Sequence, residues 1–130
     1  MRLIECIANF SEGKNQIIIN KIADSITKVK GVSLLHSDSG IAANRTVYTF
    51  AGEAELVLEA AYNAIKIASQ EIDMQHHQGE HPRIGACDVC PFVPISGINK
   101  AELIPMVENL AKRIADEKAA QEAEQTEATE

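Results

Sequence analysis

The chain contains no tryptophan, only 4% aromatic residues and no long apolar run among its 130 residues. No segment approaches the roughly 20 apolar residues that span a bilayer, and the opening run MRLIECIANF is too short and interrupted for a signal peptide. Lys and Arg form no cluster with interleaved aromatic residues, which the binding of nucleic-acid phosphates would require. We therefore expect no membrane partner and no nucleic-acid partner.

Cysteine is also scarce, since the chain has three. An odd number without a secretory signal is typical of reduced thiols, so we expect a cytoplasmic protein. Cys87 and Cys90 form a CxxC, a spacing found in zinc sites and in redox sites. In a strand, residues i and i+3 point to opposite faces, which would separate these thiols, and Pro91 excludes the helix start that a redox pair uses. We interpret the cysteines as buried packing residues and expect no metal.

The composition divides the chain into two parts. A hydrophobic content of 45% in 130 residues suits one compact domain. After Ala115 the sequence loses its large apolar residues and carries most of the excess negative charge, within a net charge of -7. We expect a folded unit over residues 1–115 and an acidic tail over residues 116–130 that is frayed or disordered.

The periodicity of apolar residues predicts the elements of the folded unit. Apolar, β-branched runs predict strands, and stripes of period 3.6 predict helices. The predicted order is strand Leu3–Phe10, helix Ile18–Val29 capped at Gly31, strand Val32–Ser37, strand Arg45–Ala51 and helix Glu53–Ile72. The run CDVCPFVPI predicts an edge or bulged strand because Pro91 and Pro94 cannot donate to a ladder.

A last helix should begin after Asn99, where Glu102 completes a capping box, and Pro105 should bend its early part. The order βαββαβ plus a helix predicts an α+β fold. We expect a two-layer ferredoxin-like sandwich with an extra C-terminal helix and with helices on one sheet face.

Residues 76–92, HHQGEHPRIGACDVCPF, concentrate the reactive side chains of the chain. Gly79 and Pro82 break any helix there, so the histidines lie on a loop, where catalytic groups often occur. Histidine is the side chain whose ordinary pKa lies closest to neutral, which suits proton transfer. A surface histidine beside Glu80 and Arg83 is the alternative interpretation.

Several motifs together resemble one family. IECIANFSEGKN, NRTVYTFAG and IDMQHHQGEHPRIGACDVCPFVPI occur in order across residues 4–115. They resemble the N-terminal subdomain of glutamate formimidoyltransferase, the formiminotransferase half of formiminotransferase-cyclodeaminase. The resemblance implies transfer of a formimino group from N-formimino-L-glutamate to tetrahydrofolate, as a co-substrate and without a metal, in histidine degradation and one-carbon metabolism.

The resemblance also implies roles for individual residues. His81, in GEHPR, occupies the position of the catalytic acid/base, and Asp38 that of the family's acidic residue after the second strand. Arg45 and Arg83 are candidates for binding substrate carboxylates, with salt bridges as the alternative. Further candidates at the same rim, which could equally make turns and caps, are Asn9, Ser11, Glu12 and Asn44.

The family's transferase unit has two subdomains with the folate in the groove between them, and this chain resembles the first alone. We therefore expect a homo-oligomer or a separately encoded second subdomain. The chain departs from the family at Ile41, Ala42 and Ala43, where Pro, Ser and Thr are common, and at His36, where an Asp is common. The alternative function is a non-catalytic folate-binding or protein-interaction module.

Overall fold

A computed structural model describes residues 1–72 and 87–129. Its elements follow the predicted order, except that the last strand is divided into two. They are β1 (Leu3–Phe10), α1 (Gln16–Thr27), β2 (Val32–Gly40), β3 (Arg45–Glu53), α2 (Ala54–Glu71), β4 (Cys87–Val89), β5 (Phe92–Ser96) and α3 (Lys100–Thr129). The predicted α+β sandwich of the ferredoxin-like type is confirmed.

The strands form one antiparallel sheet in the spatial order β2-β3-β1-β4. β5 also pairs with β1, so β4 and β5 together occupy one edge of the sheet. Pro91 lies between these two short strands, and Pro94 lies inside β5. Proline has no N–H to donate, so the two prolines are tolerated at an edge of the sheet and not in its centre. The predicted edge position is confirmed.

One face of the sheet is apolar and packs against the helices. Alternate residues of β1 and β3 are buried there, and α1 contributes an isoleucine stripe to the same layer. α2 faces the sheet mainly with alanines, whose small side chains let the helix approach closely. The buried residues of β1, β3 and α1 are Ile4, Cys6, Ala8, Phe10, Thr46, Tyr48, Phe50, Ile19, Ile22 and Ile26.

Tyr48 joins the sheet to α1 inside this core. Its hydroxyl donates a hydrogen bond to the carbonyl oxygen of Ile19 over 2.7 Å. Its ring meets that of Phe10 edge to face, with centroids 5.6 Å apart. Burial, followed by the negative charge of Glu12, raises the pKa of Tyr48 above its ordinary value.

The helix ends follow local side-chain hydrogen bonds. The side chain of Asn15 accepts from two N–H groups in the first turn of α1, and that helix ends at Thr27, earlier than the predicted cap at Gly31. At α3, the side chain of Asn99 accepts from the Glu102 N–H over 2.8 Å, and the Glu102 carboxylate accepts from the Asn99 N–H over 3.2 Å. The predicted capping box is therefore confirmed.

α3 continues through Pro105 to Thr129 and buries Leu103 and Leu110 against the core. Fraying of residues 116–130 remains a prediction. In the two described stretches of chain, every helix is too short or too polar to cross a membrane.

Candidate functional site

A bulge in β2 decides which of its side chains face away from the helices. Leu34 pairs with the core residue Phe50, but the next pair is His36 with Thr49. Leu35 is therefore an extra residue, and it is 57% exposed. A bulge reverses the alternation that follows it. His36 and Asp38 consequently lie on the sheet face opposite the helices, which we call the open face.

Asp38 and Asn9 lie in one row across the open face. Asp38 pairs with Val47, and Val47 pairs with Asn9. Neighbouring strands lie about 4.8 Å apart, so about 10 Å separates the backbones at Asp38 and Asn9. Asp38 is exposed and Asn9 is half-buried. A carboxylate and a carboxamide thus lie on either side of Val47 on the open face.

Arg45 lies one row further along the open face. It is the first residue of β3 and pairs with Gly40, whereas Asp38 pairs with Val47 two residues on. Diagonal neighbours of this kind have Cα atoms about 7–8 Å apart. Arg45 is half-buried, and its Nε atom is withdrawn from solvent. A guanidinium group therefore lies close to the Asp38–Asn9 row.

The loop after β1 packs directly on the turn between β2 and β3. The N–H of Gly13 donates to Oδ1 of Asn44 over 2.8 Å, and Asn44 is buried with a left-handed φ of 51°. A Cβ on Gly13 would lie 2.4 Å from the carbonyl oxygen of Gly40, so the close approach requires glycine. This contact fixes the backbone immediately before Arg45.

Ser11 and Glu12 belong to the same loop. Ser11 is fully buried. The Glu12 carboxylate accepts from the N–H groups of Lys14 and Asn15 over 3.0 and 3.1 Å, and its carbonyl oxygen accepts from the Thr46 hydroxyl. These bonds give Glu12 the turn-making role that was the alternative to substrate binding.

His81 and Arg83 lie outside the described residues. The segment that contains them connects Ile72, after α2, to Cys87, the first residue of β4. Cys87 pairs with the last residue of β1, and Val89 pairs with Asn9. The chain therefore re-enters the sheet at the end where the other candidate residues Asn9, Asp38, Asn44 and Arg45 lie.

The cysteines depart from the sequence-based prediction. The Sγ atoms of Cys6 and Cys90 lie 3.5 Å apart, and Cys87 is also hydrogen-bonded to Cys90. The prediction that the CxxC spacing separates its two thiols is wrong. Cys90 lies in the break between β4 and β5, where strand alternation no longer applies. No group of three His, Cys, Asp or Glu side chains within residues 1–72 and 87–129 could hold a metal ion.

Comparisons with known proteins identify one family. The family model described as formiminotransferase domain, N-terminal subdomain, matches residues 3–124. Formimidoyltransferase-cyclodeaminase from Rattus norvegicus is 48% identical over 116 residues, which cover 89% of this chain and 21% of that protein. The protein of the same name from Sus scrofa is 49% identical over 116 residues, with the same shares.

A shorter relative also matches this chain. Glutamate formimidoyltransferase from Streptococcus pyogenes serotype M1 is 45% identical over 113 residues, which cover 87% of this chain and 38% of that protein. The chain thus spans about a fifth of the bifunctional relatives and less than two fifths of the shorter one. Because the family model covers almost all of the chain, the chain belongs to the formiminotransferase family, as an N-terminal subdomain.

Proposed function

We propose that this chain forms the N-terminal half of a site that transfers the formimino group of N-formimino-L-glutamate to tetrahydrofolate. Its family and the names of its relatives support a formimidoyltransferase. The observation that carries the proposal is the grouping of Asn9, Asp38 and Arg45 on the open face, beside the point where the His81 segment returns to the sheet. Tetrahydrofolate acts as co-substrate, and the reaction needs no metal.

The proposed chemistry requires one group that both accepts and donates a proton. The folate amine attacks the amidine carbon, and a tetrahedral intermediate forms. The bond from that carbon to the glutamate nitrogen then breaks, and this nitrogen leaves once it is protonated. His81 takes the proton from the attacking nitrogen and gives it to the leaving one, because an ordinary histidine pKa of about 6.5 allows both steps. Such catalysis contributes about 10²- to 10⁴-fold to the rate.

Chain length allows His81 to take this part. His81 lies six positions before Cys87, and an extended chain of that length spans about 20 Å. Asp38 lies three strand spacings from β4, which is about 14 Å. The intervening chain is therefore long enough for His81 to reach Asp38, which would orient the imidazole and stabilise its protonated form.

Arg45 and Arg83 are proposed to bind the carboxylates of the two substrates, since guanidinium pairs bidentately with carboxylate. Arg45 lies on the open face next to the Asp38–Asn9 row. Asn9 would hydrogen-bond the ligand from the other end of that row. Glu12 and Asn44 contribute indirectly, because their contacts hold the turn from which Arg45 projects, and Ser11 is buried in the same loop as Glu12.

The second half of the site comes from a further subdomain of the same family unit. We place the docking surface on the open face, where the apolar Val93 is 44% exposed and pairs with Glu5. Exposed apolar surface of this kind marks interaction sites when it is contiguous. The folate would bind between the two halves.

The test is a transfer assay with formiminoglutamate and tetrahydrofolate, in which the second subdomain of a relative is supplied as a separate polypeptide. His81→Ala should lower kcat by about 10²- to 10⁴-fold, whereas His77→Ala, the matched control in the same segment, should change it less than about threefold. Activity that survives His81→Ala would overturn the assignment. Folate binding without any transfer would favour the non-catalytic module instead.

A further inference from the structure

Three thiols meet where β1 borders the edge formed by β4 and β5. The Sγ atoms of Cys6 and Cys90 are 3.5 Å apart, and Cys87 is hydrogen-bonded to Cys90. All three are reduced cysteines. Cys6 is fully buried on the core face of β1, whereas Cys90 is partly exposed in the break between the two edge strands. The first thiol is therefore shielded from solvent and the second can be approached.

Cys90 also lines a cavity of about 250 Å³ between the sheet edge and α3. The walls are largely apolar and include Phe92, Leu103 and Val107, with the charged Lys100 and Glu108 among the lining residues. This volume admits a small molecule to the Cys90 sulfur. Cys6 does not line the cavity, so a reagent that enters it meets Cys90 first.

The hydrogen bonds among the thiols make the two sulfurs chemically unequal. Hydrogen bonds from Cys6 and then from Cys87 lower the pKa of Cys90, although burial acts in the opposite direction. The pKa of Cys6 is raised by its hydrogen bond to Cys90 and by burial. Cys90 is thus the thiol of the pair that ionises first, and the thiolate is the form that attacks electrophiles.

From the sulfur contact and the adjoining cavity we propose that Cys90 is an oxidation site, with Cys6 as its resolving thiol. The oxidant is a hydroperoxide. The Cys90 thiolate attacks the distal peroxide oxygen, the O–O bond breaks, and the alcohol or water leaves with a proton. The Cys6 thiol then attacks the resulting sulfenic acid and releases water, which leaves a Cys6–Cys90 disulfide. Two electrons pass from two thiols to one peroxide.

The disulfide requires only a small movement. The sulfurs must approach from 3.5 Å to about 2.05 Å. Cys90 and Pro91 have no partner in the pairing of β1 with β4 or β5, although the Ile7 N–H donates to the Pro91 carbonyl oxygen over 3.1 Å, so this part of the edge can shift with few hydrogen bonds to break. The bond would tie β1 to the start of β5. The inference stands on these thiols alone and does not depend on the transferase proposal.

The test treats the purified full chain with hydrogen peroxide and analyses tryptic peptides without reduction. Trypsin releases residues 3–14, with Cys6, and residues 84–100, with both Cys87 and Cys90. We expect these two peptides to be joined with the loss of two hydrogens. Cys87→Ala, the matched control, should still give the joined pair, and Cys90→Ala should lose at least about nine tenths of it.

Two further measurements keep the test decisive if a variant folds poorly. In a variant that carries both Cys6→Ala and Cys87→Ala, the sulfenic acid should accumulate and be trapped by dimedone on Cys90. In the unaltered chain, alkylation of Cys90 by iodoacetamide should fall less than about threefold between about pH 8 and pH 6, where an ordinary thiol slows roughly 75-fold. A joined pair that persists in Cys90→Ala, or oxidation of single thiols without any joined pair, would overturn the proposal.

Discussion

Leu35 determines on which sheet face Asp38 lies, although no ligand contact is proposed for Leu35 itself. Without the extra residue, His36 and Asp38 would share the helix-facing side of β2 with Leu34. The register against β3 moves them to the open face. This could not be predicted from the sequence of β2, because alternation within one strand does not reveal where its partner strand skips a residue.

The contact between Cys6 and Cys90 escaped prediction for a related reason. The two cysteines are 84 residues apart, and the strand-like composition of CDVCPFVPI indicated regular alternation there. The break at Cys90 and Pro91 removes that alternation. In contrast, the turn-making roles of Glu12 and Asn44 could be anticipated, since both residue types favour turns through side-chain bonds to nearby backbone.

The raised pKa of Tyr48 predicts that the folded chain loses stability at alkaline pH. Burial, followed by the charge of Glu12, raises its pKa above the ordinary value of about 10. From about pH 10 upward the unfolded chain loses a proton that the folded chain keeps. The unfolded state then binds fewer protons, so the free energy of unfolding falls as pH rises toward the raised pKa.

Urea unfolding between about pH 8 and pH 11 measures this effect. Tyr48→Phe should lower the free energy of unfolding by about 1 kcal/mol at pH 8, because the hydrogen bond to Ile19 is lost. It should also reduce the decline above about pH 10. An equally steep alkaline decline in Tyr48→Phe would contradict the assignment to Tyr48.

At the scale of elements, the apolar, β-branched run predicted β1 with its observed bounds, Leu3–Phe10, because a turn sequence follows directly. The end of α1 was less predictable. Gly31 does adopt a left-handed φ of 96°, but it serves the entry into β2, and the helix has already ended at Thr27. A glycine in the sequence indicates a left-handed backbone conformation that other residues rarely adopt. It does not show whether that conformation ends a helix or begins a strand.

Because the β1–α1 loop packs on the β2–β3 turn, alanine should cost more stability at Gly13 than at Gly40. Gly13→Ala should destabilise the chain by about 1–3 kcal/mol, because the new Cβ would lie 2.4 Å from the backbone oxygen of Gly40. Gly40→Ala is the matched control, since its Cβ would be 3.9 Å from the Arg45 oxygen, an ordinary contact. Urea unfolding of both variants measures the difference, and equal stabilities would contradict the described loop contact.

At the scale of the whole molecule, the helices cover one face of the sheet and leave the row of Asp38, Val47 and Asn9 on the other. The layer order was predictable from the βαββαβ pattern. The sheet has an apolar face and a face with the polar candidate residues. This separation was predictable only in β1 and β3, where buried and half-buried residues alternate without a bulge.

If the second subdomain docks on the open face, a charge placed there should weaken the association. Val93→Lys should raise the Kd between the two subdomains at least about tenfold, since it would bury a charge without a partner. Ile17→Lys is the control, because Ile17 is 70% exposed on α1, in the helix layer. Analytical ultracentrifugation of mixtures measures both, and equal effects would place the interface elsewhere.

Calorimetric titration with tetrahydrofolate tests the central claim most directly. It is performed on the chain with the separately supplied second subdomain, and repeated with formiminoglutamate present and with Asp38→Ala. This claim predicts saturable folate binding at submillimolar Kd, appearance of the transferred product when both substrates are present, and slower transfer by Asp38→Ala. Absence of folate binding at millimolar concentration by a pair of subdomains that demonstrably associates would contradict it.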